Sequence, residues 1–433
     1  MRPALVVASI LLMSAIATPA TIYVPDDFPT IQGAINFAAS GTVIVRPGTY
    51  VENINFPSKA ITLTSEQGPG VTVIDGNQAG STVVFAQNAG AGSVLEGFTI
   101  TNGTGEWEGS WKRGGGVYIP GGGPTVVGNI IVGNTARTGG GIYSSGSAEI
   151  RDNIIILNKA TREGGGITSH YVSTCLIVNN VIAWNRAIHH AGGGVFCGHL
   201  ATPVICNCTI WENYPGGIWV EEYSTHATVT NTILWGNEPG RQIYGAWGGS
   251  YTAQYNDVEG GCYGVGNISL DPLLVDPGPG DFHLTYDSPC RNAGTFSGVG
   301  VPARDNEGDP RALAGPSVDI GADEFYDHLY STGLPVPGGA MSIKVVSYPG
   351  ASITLGLGAG ILDPPLTTPF GDLFLAPPLQ GLPLGNAPAD GVLVRSFFVP
   401  PGASPGLYPF QALIKPPWNP KGQLSNLLVL TVR

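Results

Sequence analysis

The sequence predicts an all-β protein: a solenoid of parallel strands, followed by a smaller all-β domain. Glycine triplets or their remnants recur 24 to 28 residues apart as GGGVY, GGGIY, GGGIT, GGGVF and GGIWV, at Gly114, Gly139, Gly164, Gly192 and Gly216. Between them recurs an Asn, a few mostly apolar residues and a second Asn, as in Asn129/Asn134 and Asn153/Asn158. With 65 Gly and 36 Pro but 42% hydrophobic residues, the chain is rich in turns and still has enough apolar surface for a core.

Each repeat unit consists of short β-rich runs, such as NIIILN, separated by turn residues. A run this short cannot bury its apolar face alone, but coils stacked about 4.8 Å apart bury a continuous column of side chains. The asparagines of successive coils then lie above one another, and each amide can donate to the next carbonyl. We therefore expect an internal asparagine ladder without a catalytic role, and glycines at tight turns.

Residues 1–20 have the features of a secretory signal peptide: Arg2, an apolar run from Ala4 to Ile16, and small residues at the end. We therefore expect a secreted protein, either extracellular or held at the cell surface. Six cysteines in an oxidising compartment predict disulfides, whose pairing the sequence leaves open. Pro or Gly interrupts every later apolar stretch, so the chain is not expected to be an integral membrane protein.

Two segments outside the repeats complete the predicted architecture. In DDFPTIQGAINFAAS, the residues Phe28, Ile31, Ile35 and Ala38 fall on one helical face, which predicts a short helix that caps the open end of the core. From about Tyr330 the Asn and Gly signatures end, and runs such as MSIKVVSY and NLLVLTV alternate with turns. This pattern predicts a small β-sandwich-like domain over residues 330–433, which we interpret as a surface-attachment, sorting or accessory module.

The solenoid resembles a known superfamily. TIYVPDDFPTIQGAINFAASGTVIVRPGTYVENI is similar to the opening of secreted proteins of the pectin-lyase-like group, which includes carbohydrate-binding and sugar-hydrolase β-helix domains. The repeat units and the closing segments GNISLDPLLVDPGPGDFHLTYDSPCRNAG and DNEGDPRALAGPSVDIGADEF resemble those of bacterial surface proteins of this fold. The resemblance implies a right-handed parallel β-helix over residues 21–326. It implies no single activity, because the superfamily combines lyases, hydrolases, epimerases and adhesins.

Departures from the repeat indicate a candidate site. The loop between the second Asn and the glycine cluster reads TGEWEGSWKR, TART, KATRE and RAIHHA in successive units. It carries six of the 19 Lys and Arg residues of a chain whose net charge is −12. We predict a groove for an acidic polysaccharide or cell-surface glycan, in which cations bind uronate carboxylates and tryptophans stack on sugar rings. The predicted substrate-binding residues are Trp107, Trp111, Lys112, Arg113, Arg137 and Arg186.

The same region offers acid–base groups. Five of the seven histidines lie between His170 and His226, and His199 is one of them. A His, Lys or Tyr could remove the proton α to a uronate carboxyl group while a cation stabilises the developing charge, giving β-elimination or C5 epimerisation. The predicted catalytic residues are Lys159, Arg162, Tyr171, His189 and His190. The alternative is that these are ordinary polar turns of a non-catalytic structural or adhesive surface protein.

Other ligands are disfavoured. The acidic net charge argues against nucleic acid as a partner. Four soft ligands, Cys197, His199, Cys206 and Cys208, do not match a zinc spacing, and no cofactor is predicted. An acidic group near the end of the solenoid could gather a structural calcium ion: Asp305, Glu307, Asp309, Asp319, Asp323 and Glu324. The sequence lacks the clustered Asp ligands of calcium-dependent pectate lyases, the paired Asp motif of polygalacturonases and the Tyr-Gly-x-Asp-Pro-His motif of alginate epimerases, so no catalytic set is carried over.

Overall fold

Successive coils of the chain pass through the same order of strands and corners. The computed structural model describes residues 20–237, 241–285, 287–308, 311 and 317–325, and the later segments 328–332, 340–346, 352–358, 360–368, 371–376, 379–386, 392–398, 406–415, 423–424 and 428–432. Residues 1–19 of the predicted signal peptide therefore lie outside the described residues. Each coil contributes one strand to each of three parallel sheets, and the central coils add a strand of a fourth sheet.

Sheets A and B are parallel throughout. Sheet A has ten strands: Ala20–Val24, Gly41–Val45, Ile61–Ser65, Val94–Glu96, Thr125–Val127, Glu149–Arg151, Leu176–Val178, Val204–Cys206, His226–Thr230 and Ser250–Gln254. Sheet B has nine strands: Gly48–Val51, Thr72–Asp75, Thr99–Thr101, Ile130–Val132, Ile154–Ile156, Val181–Ala183, Thr209–Trp211, Ile233–Trp235 and Asp257–Val258.

Sheets C and D complete the coil. Sheet C has eight parallel strands: Ile54–Phe56, Val83–Phe85, Val117–Ile119, Ile142–Ser144, Ile167–Ser169, Val195–Cys197, Ile218–Glu221 and Ile243–Ala246. Sheet D has five strands: Glu106–Glu108, Trp111–Arg113, Thr135–Thr138, Lys159–Glu163 and Arg186–Ala187. The first two strands of sheet D form an antiparallel hairpin, and the others are parallel. The loops that the sequence singled out are therefore the strands of one sheet.

The core consists of stacked columns of aliphatic side chains. In sheet B, Ile131, Ile155, Ile182 and Ile210 occupy equivalent positions in successive coils, and all four are fully buried. Burying one such side chain contributes roughly 2 kcal/mol, but only when the coils above and below cover it. The fold is therefore stable only as a stack.

Columns of asparagines line the two corners that flank sheet B. In the column after sheet B, the Nδ2 of Asn134 donates to the Oδ1 of Asn158 at 3.1 Å, and the Nδ2 of Asn158 donates to the Oδ1 of Asn185 at 3.1 Å. Asn158 also donates to the carbonyl of Ile131 in the preceding coil at 2.8 Å. These bonds supply buried corner atoms with partners that water would otherwise provide. The predicted asparagine ladder is confirmed.

The glycine clusters form the corner between sheets D and C. Gly139 has a φ of +69°, in the left-handed region where a side chain is strained. At Gly141 an added Cβ would lie 2.6 Å from the carbonyl oxygen of Gly166 in the next coil. A larger residue would push the coils apart, so the glycines let the strands of sheets D and C follow one another at close range.

A short helix precedes the coils. It spans Ile31–Phe37 and begins at Thr30, whose Oγ1 accepts from the backbone N–H of Gly33 at 3.1 Å. Ile31, Ala34 and Ile35 are buried and belong to the same apolar cluster as the solenoid core. That the helix acts as a cap for the open end stays a prediction.

A closing segment after the coils packs on the corner between sheets A and B. It contains the antiparallel strands Leu274–Asp276 and Asp281–Leu284. Asn179 donates to the carbonyl of Arg304 at 2.8 Å, and Asn231 donates to that of Thr295 at 2.9 Å. The segment therefore covers the corner between sheets A and B. These contacts do not involve the corner between sheets D and C.

The remaining strands are antiparallel. One sheet contains His328–Thr332, Ala340–Val346 and Val392–Phe398, a second contains Ser352–Leu357, Gln380–Asn386, Gly406–Lys415, Gln423–Leu424 and Leu428–Val432, and a pair is formed by Gly360–Thr368 and Gly371–Ala376. The packing of these sheets as a sandwich, and the predicted domain limits at residues 326 and 330, stay predictions.

The expectation of disulfides was wrong for the described structure, in which all six cysteines are free thiols. Cys175, Cys197 and Cys208 belong to the main core cluster, and Cys290 belongs to a second cluster. They are buried as small apolar side chains, which is a common role of free cysteine.

Candidate functional site

A cleft of about 300 Å³ lies where sheet D meets sheet C. The sheet D side contributes Trp111, Arg113, Arg137, Thr138, Arg162 and Glu163, and the sheet C side contributes His170, Tyr171, Phe196, His199, Glu221 and Glu222. Cations and one indole ring therefore face histidines, aromatic rings and carboxyl groups across the corner made by the glycine clusters.

A register shift places two arginines near one tryptophan. The pairing between the strands Thr135–Thr138 and Lys159–Glu163 shifts by one residue at Arg137. Such bulges redirect side chains at the edge of a sheet. The Cζ atoms of Arg137 and Arg162 lie 2.9 Å and 5.9 Å from the ring centroid of Trp111. The result is a cationic layer over one face of Trp111, a residue that is 37% exposed.

The two guanidinium groups share few anionic partners. The Nε of Arg162 pairs with the Oε1 of Glu163 at 2.9 Å. Within the described part of the chain Arg137 has no ion pair, and its Nε is buried without a hydrogen bond. Burial, and then the charge of Arg162, lower the pKa of Arg137. An anionic ligand at this point would supply the missing charge.

Arg113 forms the base of the cleft. Its Nη1 donates to the hydroxyl of Tyr143 at 2.6 Å, and its Nη2 donates to the hydroxyl of Tyr171 at 3.0 Å. It also forms an ion pair with Glu108. Burial opposes its charge, but the neighbouring tyrosines and Glu108 outweigh that effect and raise the pKa of Arg113. This fixed cation orients the ring of Tyr171, which is 42% exposed.

Two histidines form the adjoining wall. The Nδ1 of His170 lies 3.2 Å from the hydroxyl of Tyr143, and the rings of His170 and His199 meet edge to face with centroids 4.1 Å apart. The Nδ1 of His199 lies 2.7 Å from the Oε2 of Glu222. Burial, followed by the charges of His199 and Arg113, lowers the pKa of His170 to about 3. His170 is therefore neutral at physiological pH.

Glu221 is the buried carboxyl group at the other end of the cleft. It is 5% exposed and accepts from the Nε1 of Trp219 at 2.9 Å. The Nε2 of His190 lies 3.6 Å from the same oxygen. Burial raises the pKa of Glu221, and the charges of Glu163 and Glu222 act in the same direction. A protonated carboxyl group is thus available at higher pH than an ordinary glutamate allows.

Sheet C carries a column of mostly aromatic side chains along the cleft. In register, coil by coil, the column is Tyr118, Tyr143, Thr168, Phe196, Trp219 and Tyr244. The middle rings are buried by the groups just described, whereas Trp219 and Tyr244 are half-buried, with centroids 4.7 Å apart. The column therefore continues past the cleft as a partly exposed aromatic surface.

Five of the predicted site residues line this cleft: Trp111, Arg113, Arg137, Arg162 and Tyr171. The structure thus brings together residues that are up to 60 positions apart in the sequence. Stacking of the coils explains this, since the strands Trp111–Arg113, Thr135–Thr138 and Lys159–Glu163 of sheet D lie in successive coils.

The other predicted residues do not line the cleft. Lys159 and Arg186 share one register position at the far end of sheet D and are exposed, as is His189. Trp107 lies on the hairpin, 64% exposed, with the Nζ of Lys112 at 5.3 Å from its ring centroid. His190 reaches the cleft only indirectly, through its contact with Glu221.

Sequence reasoning did not assign Phe196, Glu221 or Glu222 to the site. These residues are in sheet C or immediately after it, and not in the loops that were singled out. One signal in the sequence could have indicated this wall. The second residue after each glycine cluster changes from Tyr to Thr, Phe and Trp in successive units, whereas the residue before it stays aliphatic.

The acidic group near the end of the solenoid is engaged by the protein itself. Asp305 accepts from the backbone N–H groups of Glu307 and Glu324 at 3.0 Å each, and Arg311 donates to Glu324 at 3.0 Å. Asp309 lies outside the described residues. In the part of the chain that is described, no group of three or more His, Cys, Asp or Glu residues is arranged to hold a metal ion. Nor is any described helix long and apolar enough to span a bilayer.

These features define a parallel β-helix with a lateral cleft. Residues 59–234 match the protein family described as "Right handed beta helix region". The resemblance to right-handed parallel β-helix proteins is thereby confirmed. A comparison with curated proteins gave no match. Among solved structures, the enzymatically active domain of tailspike protein 4 from bacteriophage CBA120 is 11% identical, with a TM-score of 0.23. That likeness covers 93% of this chain and 65%, less than two thirds, of that chain.

Proposed function

We propose that the chain binds an acidic polysaccharide in the cleft between sheets C and D. The observation that carries this proposal is that Arg137 and Arg162 both lie near the ring of Trp111, while the carboxylate Glu163 forms an ion pair with Arg162 alone. Guanidinium groups bind carboxylates in a bidentate manner, and an indole face stacks on a sugar ring. A uronate residue combines both groups in one ligand.

The cleft is also suited to a chain and not only to a single sugar. The half-buried rings of Trp219 and Tyr244 continue along the sheet beyond it. Successive coils are about 4.8 Å apart, so two coils span roughly the length of two sugar residues. We therefore place the polysaccharide along the stack of coils, with its uronate at Arg137.

The predicted proton abstraction, for elimination or epimerisation, has less support than binding. Among the predicted bases Lys159, His189, His190 and Tyr171, only Tyr171 lines the cleft. Its hydroxyl accepts from Arg113, which suits a contact with a sugar hydroxyl as well as it suits a base.

The test is binding of the full chain to polygalacturonate, alginate and a neutral glucan, measured by calorimetry. We expect an acidic polymer to bind, and Arg137→Gln or Arg162→Gln to weaken its binding about 10- to 100-fold, since a charge-assisted hydrogen bond contributes about 1.5–3 kcal/mol. Arg151→Gln is the matched control, because Arg151 is a half-buried arginine of sheet A, outside the cleft, and is paired with Glu149 and Asp152. Equal effects of all three changes, or no binding at all, would favour a structural or adhesive protein without a glycan site.

We further propose that the chain is exported, on the basis of the composition of residues 1–20. N-terminal sequencing of the protein recovered from the medium or the cell surface tests this. A mature chain that begins near Ala20 supports export, and a retained Met1 contradicts it.

A further inference from the structure

Three carboxyl groups line the cleft in different environments. Glu222 is half-buried and pairs with His199. Glu163 is nearly buried and has Arg162 as a permanent cationic partner. Glu221 is nearly buried and contacts an indole N–H and a histidine ring. Two carboxyl groups held in unlike environments can serve as an acid and a base in one reaction.

Glu221 is positioned by its own strand. In Ile218–Glu221 the side chains of Ile218 and Val220 are in the core, so those of Trp219 and Glu221 point outwards on the same face. The indole N–H then holds the Oε2 of Glu221 at 2.9 Å. No hydrogen bond from the described residues reaches Oε1, which leaves that oxygen available to a ligand.

Gly198 lies between His170 and Glu221 in one column of the cleft wall. His170 directly follows one strand of sheet C, Glu221 is the last residue of a strand two coils further on, and Gly198 occupies the same register position in the coil between them. An added Cβ at Gly198 would lie 2.7 Å from the Cε1 of Phe196 and 3.3 Å from the Cδ2 of His170. The ring of Phe196 therefore packs directly on Gly198, and a larger residue at this position would push against Phe196 and His170, which both line the cleft.

We propose that the cleft hydrolyses a glycosidic bond of the polysaccharide, with Glu221 as the proton donor and Glu163 as the base. This inference rests on the proposed binding function. The carboxylic acid of Glu221 gives its proton to the glycosidic oxygen as the bond from that oxygen to C1 breaks. A water oxygen forms the new bond to C1 and gives its proton to the carboxylate of Glu163. One water is consumed per bond, and no group is oxidised or reduced.

The experiment uses the full chain and an acidic polysaccharide that it binds. We expect new reducing ends, products heavier by one water, and ¹⁸O at the new reducing end in H₂¹⁸O. Glu221→Gln should lower kcat by about 100-fold or more while Kd changes less than about threefold, because it removes the proton donor and keeps the shape. Glu163→Gln should give a similar loss. Glu149→Gln is the matched control, since Glu149 is a half-buried glutamate of sheet A that lies outside the cleft.

The pH profile identifies Glu221 as the acid. Activity should fall as the pH rises through the pKa of Glu221, because the donor must be protonated. The hydrogen bond from Trp219 lowers the pKa of Glu221, so Trp219→Phe should move this limb to higher pH. Circular dichroism and the Tm of each variant establish that it is folded.

Three results would overturn the inference. Unsaturated products that absorb near 235 nm would identify elimination instead of hydrolysis. Full activity of Glu221→Gln would exclude it as the donor. Tight binding without any cleavage would refute hydrolysis and leave the binding proposal intact, whereas loss of binding in every assay would refute both.

Discussion

The corners beside sheet B and the corner between sheets D and C are built from the same repeat but have different contents. Beside sheet B, one residue type recurs from coil to coil: Asn134, Asn158 and Asn185 are buried and bound to one another. Between sheets D and C, the glycine triplets recur but the residues around them change in every coil. Trp111 and Arg137, for example, occupy neighbouring strands of sheet D.

This difference separates structure from function. In a column that repeats the same polar residue, the side chains bond to one another, and no donor or acceptor is left for a ligand. A column whose members differ cannot pair in that way, and it leaves groups such as the Nε of Arg137 without a partner among the described residues. Substitutions at the two corners should therefore affect different properties.

The largest effect is expected from breaking the asparagine ladder. Asn158→Ala leaves two buried groups without their side-chain partner, the backbone N–H of Asn134 and the carbonyl of Ile131. At about 1–3 kcal/mol for each group, we expect the free energy of unfolding to fall by roughly 4 kcal/mol. Denaturant unfolding measures this, with the exposed Asn88→Ala as control. A loss no larger than that of the control would contradict the role given to the ladder.

A smaller effect, on stability at low pH, is expected from the wall of the cleft. The pKa of His170 is about 3 in the folded chain, below its ordinary value, so protonation favours the unfolded state. The stability that neutral His170 contributes is complete above about pH 6.5 and is lost as the pH falls towards 3, by about 3 kcal/mol at pH 4. His170→Gln should flatten the curve of unfolding free energy against pH in this range. Parallel curves for the two proteins would refute the assignment.

The smallest effect on binding concerns the cleft wall at Gly198. Gly198→Ala places a methyl group 2.7 Å from the Cε1 of Phe196, so the ring of Phe196, which lines the cleft, must shift. We expect binding of the polysaccharide to weaken about tenfold, or 1.4 kcal/mol, and Tm to fall because Phe196 is buried. Gly70→Ala is the control, because a Cβ there meets nothing within 4 Å. Unchanged affinity would show that this part of the cleft wall is not part of the binding site.

The sequence predicted the features that depend on one coil and its neighbour. The asparagine ladder follows from spacing alone, because stacking places Asn158 directly over Asn134. Spacing also predicted that Trp111, Arg137 and Arg162 share one edge. It could not predict which members of that edge reach the cleft, because a bulge in Lys159–Glu163, opposite Arg137, redirects side chains there.

The residues of sheet C were harder to find. Glu221 follows a degenerate glycine cluster, and its burial depends on Trp219 and on His190 from the preceding coil. No single unit of sequence contains these contacts. The cysteines were misread for a related reason: the spacing of Cys197 and Cys208 does not reveal that both point into the core.

The most direct measurement is a thermodynamic cycle of binding affinities. In it, charge is removed from the cleft, from the ligand, and from both. Affinity is measured for the native chain and for Arg137→Gln, each with an acidic polysaccharide and with the same polymer after reduction of its carboxyl groups. If the guanidinium of Arg137 meets a uronate, either change alone should weaken binding about 20-fold, and the second change should then add less than about twofold. Two independent losses that simply multiply, with Arg151→Gln giving the same result as Arg137→Gln, would contradict a polysaccharide site in this cleft.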